Sequence, residues 1–283
     1  MLYIIENESL SVTVNDFGAE MQSIRFRGKE KLWQNSDGSW DKHAPILFPF
    51  GGQVSVKKNH ILFPIPCHGF ASHYPYILKE KDNTSLTLFL SINDEIRALF
   101  PYDFLFGVRY ALLKNSLSVT YIVENQGDEP LPFYAAGHES FSFPRDIGHY
   151  AIRFEKTEHL IHAVHDADGY LVGKTIDYGV TDYLPLPADF LSEDRTLIFP
   201  DLASRRITLE SVEGEKIAVV TFPEFRNLLL WRPERAHMIC IEPWLNLPDR
   251  RDAIPPEWSQ RPDIFTAAPH TVRTLTRTIA YFS

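Results

Sequence analysis

The sequence predicts one large all-β domain, and three observations carry that reading. The dominant hydrophobic period is two, helix signals are sparse, and 20 prolines with 14 glycines punctuate the chain. A period of two sends alternate side chains to opposite faces of a strand. A helical bundle or a doubly wound fold would instead need repeated 3.6-periodic stretches of about 10 residues or more.

Taken in order, residues 9–14 (SLSVTV) and 84–90 (TSLTLFL) alternate as half-buried strands do. Over residues 93–100, Asn93 or Asp94 is placed to cap a short helix that Pro101 stops. Residues 106–113 and 117–123 flank Lys114-Asn115-Ser116 as the two arms of a hairpin. Further strands are expected over 206–209, 217–222, 228–231, 238–241 and 271–282. In the last, Val272, Leu275 and Ile279 are mixed with Thr and Arg, the pattern of a half-solvated edge. Residues 142–194, rich in His, Asp, Gly and Tyr, are expected to form long loops over a sheet. No linker, repeat or composition shift divides the chain, so residues 1–283 are expected to fold as a single domain.

Hydrophobic residues make up 44% and charged residues 23%, which excludes a disordered chain. The net charge of -9 argues against a phosphate-backbone partner, so no nucleic acid is expected. Cys67 and Cys240 are too few to staple a secreted domain and read as free thiols of a reducing compartment. The N-terminus has no basic segment, and Glu6 and Glu8 interrupt its apolar run. No stretch approaches the ~18 apolar residues of a spanning helix. The expected location is cytoplasmic, with no membrane partner.

Three segments place an ionisable residue in apolar, strand-like surroundings: Cys67-His68-Gly69-Phe70, Gly137-His138-Glu139 and Cys240-Ile241-Glu242-Pro243-Trp244. Burial of Glu242 among Ile, Pro and Trp would disfavour its charge and bring its pKa toward neutrality. The glycine beside each histidine allows close approach of backbone or ligand. His68, His138 and Glu242 are zinc-ligand types, but they lack metal-motif spacing and no metal or cofactor is expected. On a strand, Cys67 and His68 would point to opposite faces, while Cys240 and Glu242 would share one. His159, His162 and His165 recur every three residues without a supporting register and read as a polar loop.

At these residues the chain resembles the aldose 1-epimerase (galactose mutarotase-like) superfamily, closest to its LacX-like branch. The resemblance spans the chain: Gly18-Ala19-Glu20-Met21-Gln22-Ser23, then Leu32-Trp33-Gln34, Trp40 and Ala44-Pro45-Ile46-Leu47-Phe48-Pro49. It continues through His68-Gly69-Phe70-Ala71, Gly137-His138, Leu197-Ile198-Phe199 and Cys240-Ile241-Glu242-Pro243-Trp244 with Asp249. The resemblance implies a large antiparallel β-sandwich with few short helices and a sugar-binding cleft on one sheet. It also implies Glu242 as general base, His138 as general acid and His68 assisting near the ring oxygen. Anomer exchange removes a proton from O1 and delivers one to the ring oxygen, which two groups titrating near neutrality perform without metal or cofactor. Trp244, Trp33 or Phe70 would stack on the sugar or pack in the core. Gln53, Asp194 and Asp249 complete the expected substrate contacts.

The chain departs from the branch where Gln53 and Ser72 replace arginines and where Glu139 follows the second histidine. Loss of the arginine forks motivates one alternative, a non-catalytic sugar-binding protein on the same scaffold. Another is a hexose-6-phosphate 1-epimerase, which would need convergence of Arg145, Arg195, Arg205, Arg206, Arg232 or Arg235. The expected partner is a small sugar, and the protein is expected to be a monomer or a homodimer.

Overall fold

The computed structural model describes residues 1–189, 191, 196–234 and 236–282, and alternation becomes sheet across them. Leu10–Asn15 buries Leu10, Val12 and Val14, and Ser116–Asn125 buries Leu117, Val119, Tyr121 and Val123. Each row packs one sheet face and leaves the other polar, and the removed apolar area contributes about 25 cal/mol per Å². Phe104–Leu113 and Ser116–Asn125 form the expected hairpin. The short helix is Asp94–Leu99, with Asn93 Oδ1 accepting from the Ile96 N–H at 2.9 Å.

The architecture is all-β, with large antiparallel sheets. Nine strands form the larger sheet, from Leu171–Pro185 at one edge to Tyr76–Lys81 at the other. A four-stranded sheet runs in the order Glu139–Ser142, Met238–Trp244, Asn227–Trp231, Thr196–Phe199. Leu197, Leu230 and Ile241 of this smaller sheet join Tyr121, Leu275 and Ile279 of the larger in one apolar core. Another four-stranded sheet is built from the first 30 residues. No helix among the described residues is long and apolar enough to cross a membrane.

Two expectations fail, and for related reasons. Residues 142–194 are not mainly loops: they carry the long paired strands Tyr150–His165 and Leu171–Pro185. Their register slips three times and most of Leu171–Pro185 is exposed, so no continuous buried face imposes a period of two. Val272–Tyr281 is not an edge but lies between Lys216–Thr221 and Ser116–Asn125. Its inner face carries Leu275, Arg277, Ile279 and Tyr281, all buried. A fully buried arginine reads as a solvent residue in sequence.

Candidate active site

Pairing on the four-stranded sheet assembles the site. Glu139 faces Ile241 across the antiparallel ladder, and the Gly137 N–H donates to the Pro243 carbonyl at 3.0 Å. That register sets His138 opposite Glu242. Leu229 stands on the far side of Glu242, and Ile198 beyond it. Residues directly opposite in an antiparallel ladder point the same way, so His138, Glu242, Leu229 and Ile198 form one row of a cleft floor. Two residues along the strands, Cys240, Trp231 and Thr196 form the next row. The cleft encloses about 360 Å³.

Within the floor, His138 Nε2 lies 3.4 Å from Glu242 Oε2. Trp244, two residues along the strand, donates its indole N–H to the same oxygen at 3.1 Å. His68 enters from the opposite wall, its ring 5.7 Å from that of His138 and 5.6 Å from that of Trp244. It reaches the cleft from a turn in which His68 and Gly69 have φ of 67° and 77°. A Cβ on Gly69 would stand 2.1 Å from the Phe48 carbonyl oxygen, so only glycine fits there. The Gly52 N–H donates to His68 Nδ1 at 3.0 Å, leaving Nε2 to carry the proton of the neutral ring.

Burial dominates the electrostatics. It pushes the Glu242 carboxyl well above its usual range, aided by the negative charge of Glu139 and opposed by the Trp244 hydrogen bond. It pushes His138 down to about 3, with His68 adding to the effect, and His68 down to about 4, with His73 adding. Both members of the Glu242–His138 pair are therefore driven toward their neutral forms. The pair then holds one exchangeable proton and no net charge; moving that proton to His138 yields carboxylate and imidazolium, again with no net charge.

His138, Cys240 and Glu242 bring ligand atoms within 4.8 Å of one another, a thiol, imidazole and carboxylate set of the kind zinc accepts. The Cys240 thiol is pushed far up by burial and by Glu242 and Glu139, so metal binding there would have to displace its proton.

The other expected residues divide. Gln53 and Trp244 line the cleft. Phe70 does not: it is 1% exposed and packs edge-on against Phe48 in the core, because the strained turn that presents His68 rotates its neighbour inward. Asp249 stands behind the cleft wall, accepting from the Arg261 guanidinium at 2.6 and 2.9 Å and from the Ser55 N–H at 2.8 Å. Its main-chain N–H donates to the Gln53 carbonyl, so it braces Gln53 instead of facing the cleft. Asp194 lies outside the described residues. Trp33 is buried beside the cleft, packed with Met238 and Cys240 on the cleft-facing side of the floor, and donates its indole N–H to the Trp40 carbonyl at 3.0 Å.

Sequence reasoning missed several walls. Cys67 lines the cleft together with His68, because the segment is a turn and not a strand with opposed faces. Trp40 stacks on His138 at 5.2 Å and meets Trp231 edge-on at 5.1 Å. Trp231 was discoverable only through its pairing with Cys240. His159, His162 and His165 lie on a strand and have separate surroundings: His159 pairs with exposed Asp177, His162 accepts from the Ile198 N–H, and His165 lines the cleft. Among the described residues, Lys42 is the one lysine or arginine lining the cleft. Arg205 is held by the Leu202 and Ser204 carbonyls, Arg206 by Glu155, and Arg232 by the Ala188 and Ala236 carbonyls. Arg145 lines a separate depression, and Arg195 and Arg235 lie outside the described residues.

Residues 1–251 match the family model described as aldose 1-epimerase. Protein LacX of Lactococcus lactis subsp. lactis is 28% identical over 271 residues, covering 86% of this chain and 87% of its own. A galactose mutarotase-like protein from Lactobacillus casei superposes with a TM-score of 0.91 at 25% identity, covering 100% of each chain. A galactose mutarotase related enzyme from Lactobacillus acidophilus gives a TM-score of 0.89 at 25% identity, covering 100% of this chain and 98% of that one.

Proposed function

The chain belongs to the aldose 1-epimerase family, and from that premise we propose that it interconverts the α and β anomers of an aldose. The single observation carrying this reading is the 3.4 Å contact between His138 and Glu242 inside a cleft walled by Trp40, Trp231 and Trp244.

In the reacting state the pair holds its proton on His138. Glu242 takes the proton from the O1 hydroxyl as His138 protonates the ring oxygen, and the C1–O5 bond breaks to give an aldehyde. Rotation about C1–C2 presents the other carbonyl face, and the same two groups reverse their roles to close the ring. Opening leaves Glu242 protonated and His138 neutral, which is the form burial favours. The cost of first moving the proton to His138 in the desolvated cleft is thus recovered in the ring-opening step. His68, with Nδ1 occupied by the Gly52 N–H, offers its Nε2–H as a neutral donor to the ring oxygen. Gln53 would bond sugar hydroxyls without charge, and the tryptophans would stack on the sugar's apolar face. The protein is read as a cytoplasmic single-domain enzyme, with residues near both ends of the chain needed for one site.

The test is anomer exchange, followed by polarimetry or NMR across a panel of aldoses. Wild type should exceed the uncatalysed rate for at least one sugar, and Glu242→Gln should fall to less than about one tenth of wild type. If both match the uncatalysed rate for every sugar while binding persists, the enzyme reading is lost and a sugar-binding role replaces it.

A further inference from the structure

The strand that delivers His138 to the cleft floor holds something unusual on its other face. Glu139 points into the layer between the sheets, in a row with Ile241, Leu230 and Leu197. It is 1% exposed and is forked by Arg277, which is fully buried on Val272–Tyr281. Arg277 Nε donates to the two Glu139 oxygens at 3.0 and 3.1 Å, and Nη2 donates to one of them as well. Taking both charges out of water is costly, and a well-packed apolar pair of the same volume is often as stable or more so. Stability alone does not account for the pair.

Its geometry supplies a reason. A Cβ on Gly137 would stand 2.6 Å from Arg277 Nε and 3.0 Å from Glu139 Oε2, so the ion pair lies directly against the main chain before His138. The guanidinium sits over the Tyr121 ring at 4.8 Å, and the Tyr121 hydroxyl donates to the Ala136 carbonyl at 2.7 Å. From the floor side, the Gly137 N–H donates to Pro243 and the Ala136 N–H to Leu47. Residues 136–139 are therefore held from beneath by the nine-stranded sheet and laterally by the floor.

We propose that the Glu139–Arg277 pair is a positioning device that locks the 136–139 main chain to the nine-stranded sheet and so fixes His138 against Glu242. The inference deepens the acid–base reading above and rests on it for its catalytic consequence. The charge of Glu139 also reaches the cleft, where it adds to the forces keeping Glu242 protonated. Facing the Glu242–His138 pair are His68 from the opposite wall with His73 behind it, and Cys240 and Trp244 on the Glu242 strand. Glu139 and Arg277 lie beneath, among Tyr110, Tyr121 and Tyr281. Removing the Glu139 charge lowers the pH at which Glu242 ionises.

Two variants test this. Glu139→Gln with Arg277→Met removes both charges at similar volume, and Arg277→Lys keeps the charge but not the fork. The readouts are melting curves, kcat and KM for anomer exchange, the pH profile, and the imidazole NMR signals of His138 in sugar-free protein. The double variant is expected to lose about 10²-fold in kcat with KM within about threefold, as misplacement of an acid predicts. The alkaline limb of its profile moves to lower pH and the His138 signals shift. Arg277→Lys keeps the alkaline limb, loses about tenfold in kcat and shifts the His138 signals. The NMR readout needs no turnover: an inactive wild type sinks the acid–base reading, while displaced His138 signals still uphold the positioning. A folded variant of either kind whose His138 signals match wild type overturns the proposal, and if the double variant does not fold, Arg277→Lys decides alone.

Discussion

Glu242→Gln separates chemistry from architecture at the centre of the site. Glutamine keeps the shape of the buried side chain, 2% exposed, and its amide oxygen still accepts the Trp244 N–H. What is lost is the base. General-base catalysis contributes about 10²–10⁴-fold, so kcat should fall by that factor, equivalent to about 3–5 kcal/mol of barrier, with KM nearly unchanged. Stability should move the other way. The folded-state pKa of Glu242 is raised, so its contribution to stability is complete below the unfolded value near 4.5 and is lost as pH rises toward the folded value. Glutamine never ionises. The variant should therefore gain on wild type by about 1.4 kcal/mol per pH unit above 4.5, until the folded carboxyl titrates. NMR exchange rates at pH 7 and urea melts between pH 4.5 and 8 check both halves. Retention of more than about one tenth of wild-type kcat would refute Glu242 as the base. A stability gap that does not widen with pH would show Glu242 ionised in the folded protein and would remove the neutral pair.

Three further outcomes follow from the same geometry. Trp244→Phe deletes the hydrogen bond that lowers the Glu242 pKa, so the one-proton pair should survive to higher pH and the alkaline limb of the pH–rate profile should move up by about one unit, the scale of a hydrogen bond to a charged group; an unmoved limb would count against that bond. With the folded pKa of His138 lowered to about 3, wild type should lose stability relative to His138→Asn as pH falls below 6.5, at about 1.4 kcal/mol per unit. Parallel acid-unfolding curves would contradict a neutral His138. Gly69→Ala places a Cβ 2.1 Å from the Phe48 oxygen at a φ of 77° and should destabilise by about 2 kcal/mol or more, read by thermal melting.

The legible parts of this protein were those in which one segment suffices. Alternation in residues 9–14, 84–90 and 106–123 announced its strands because a single buried face selects every second residue. Asn93 announced its helix because capping is satisfied within one turn. Where the chain slips register three times along Tyr150–His165, or buries an arginine beside Leu275 and Ile279, the same rule misread the segment. The identities of Glu242, His138 and His68 were legible as ionisable residues in apolar settings, supported by resemblance to the aldose 1-epimerase family.

Their relation to one another was not. The sequence by itself determined an acidic all-β chain with a carboxylate and two glycine-flanked histidines, because composition and periodicity are local properties. Only the tertiary structure decided that His138 and Glu242 meet across one ladder. It turned Phe70 into the core and set Asp249 behind the cleft wall, while Trp40 and Trp231 close over the histidine. The physical reason is that strand register and burial are set by segments distant in sequence. Those two quantities fix which side chains touch and which of them keep their protons.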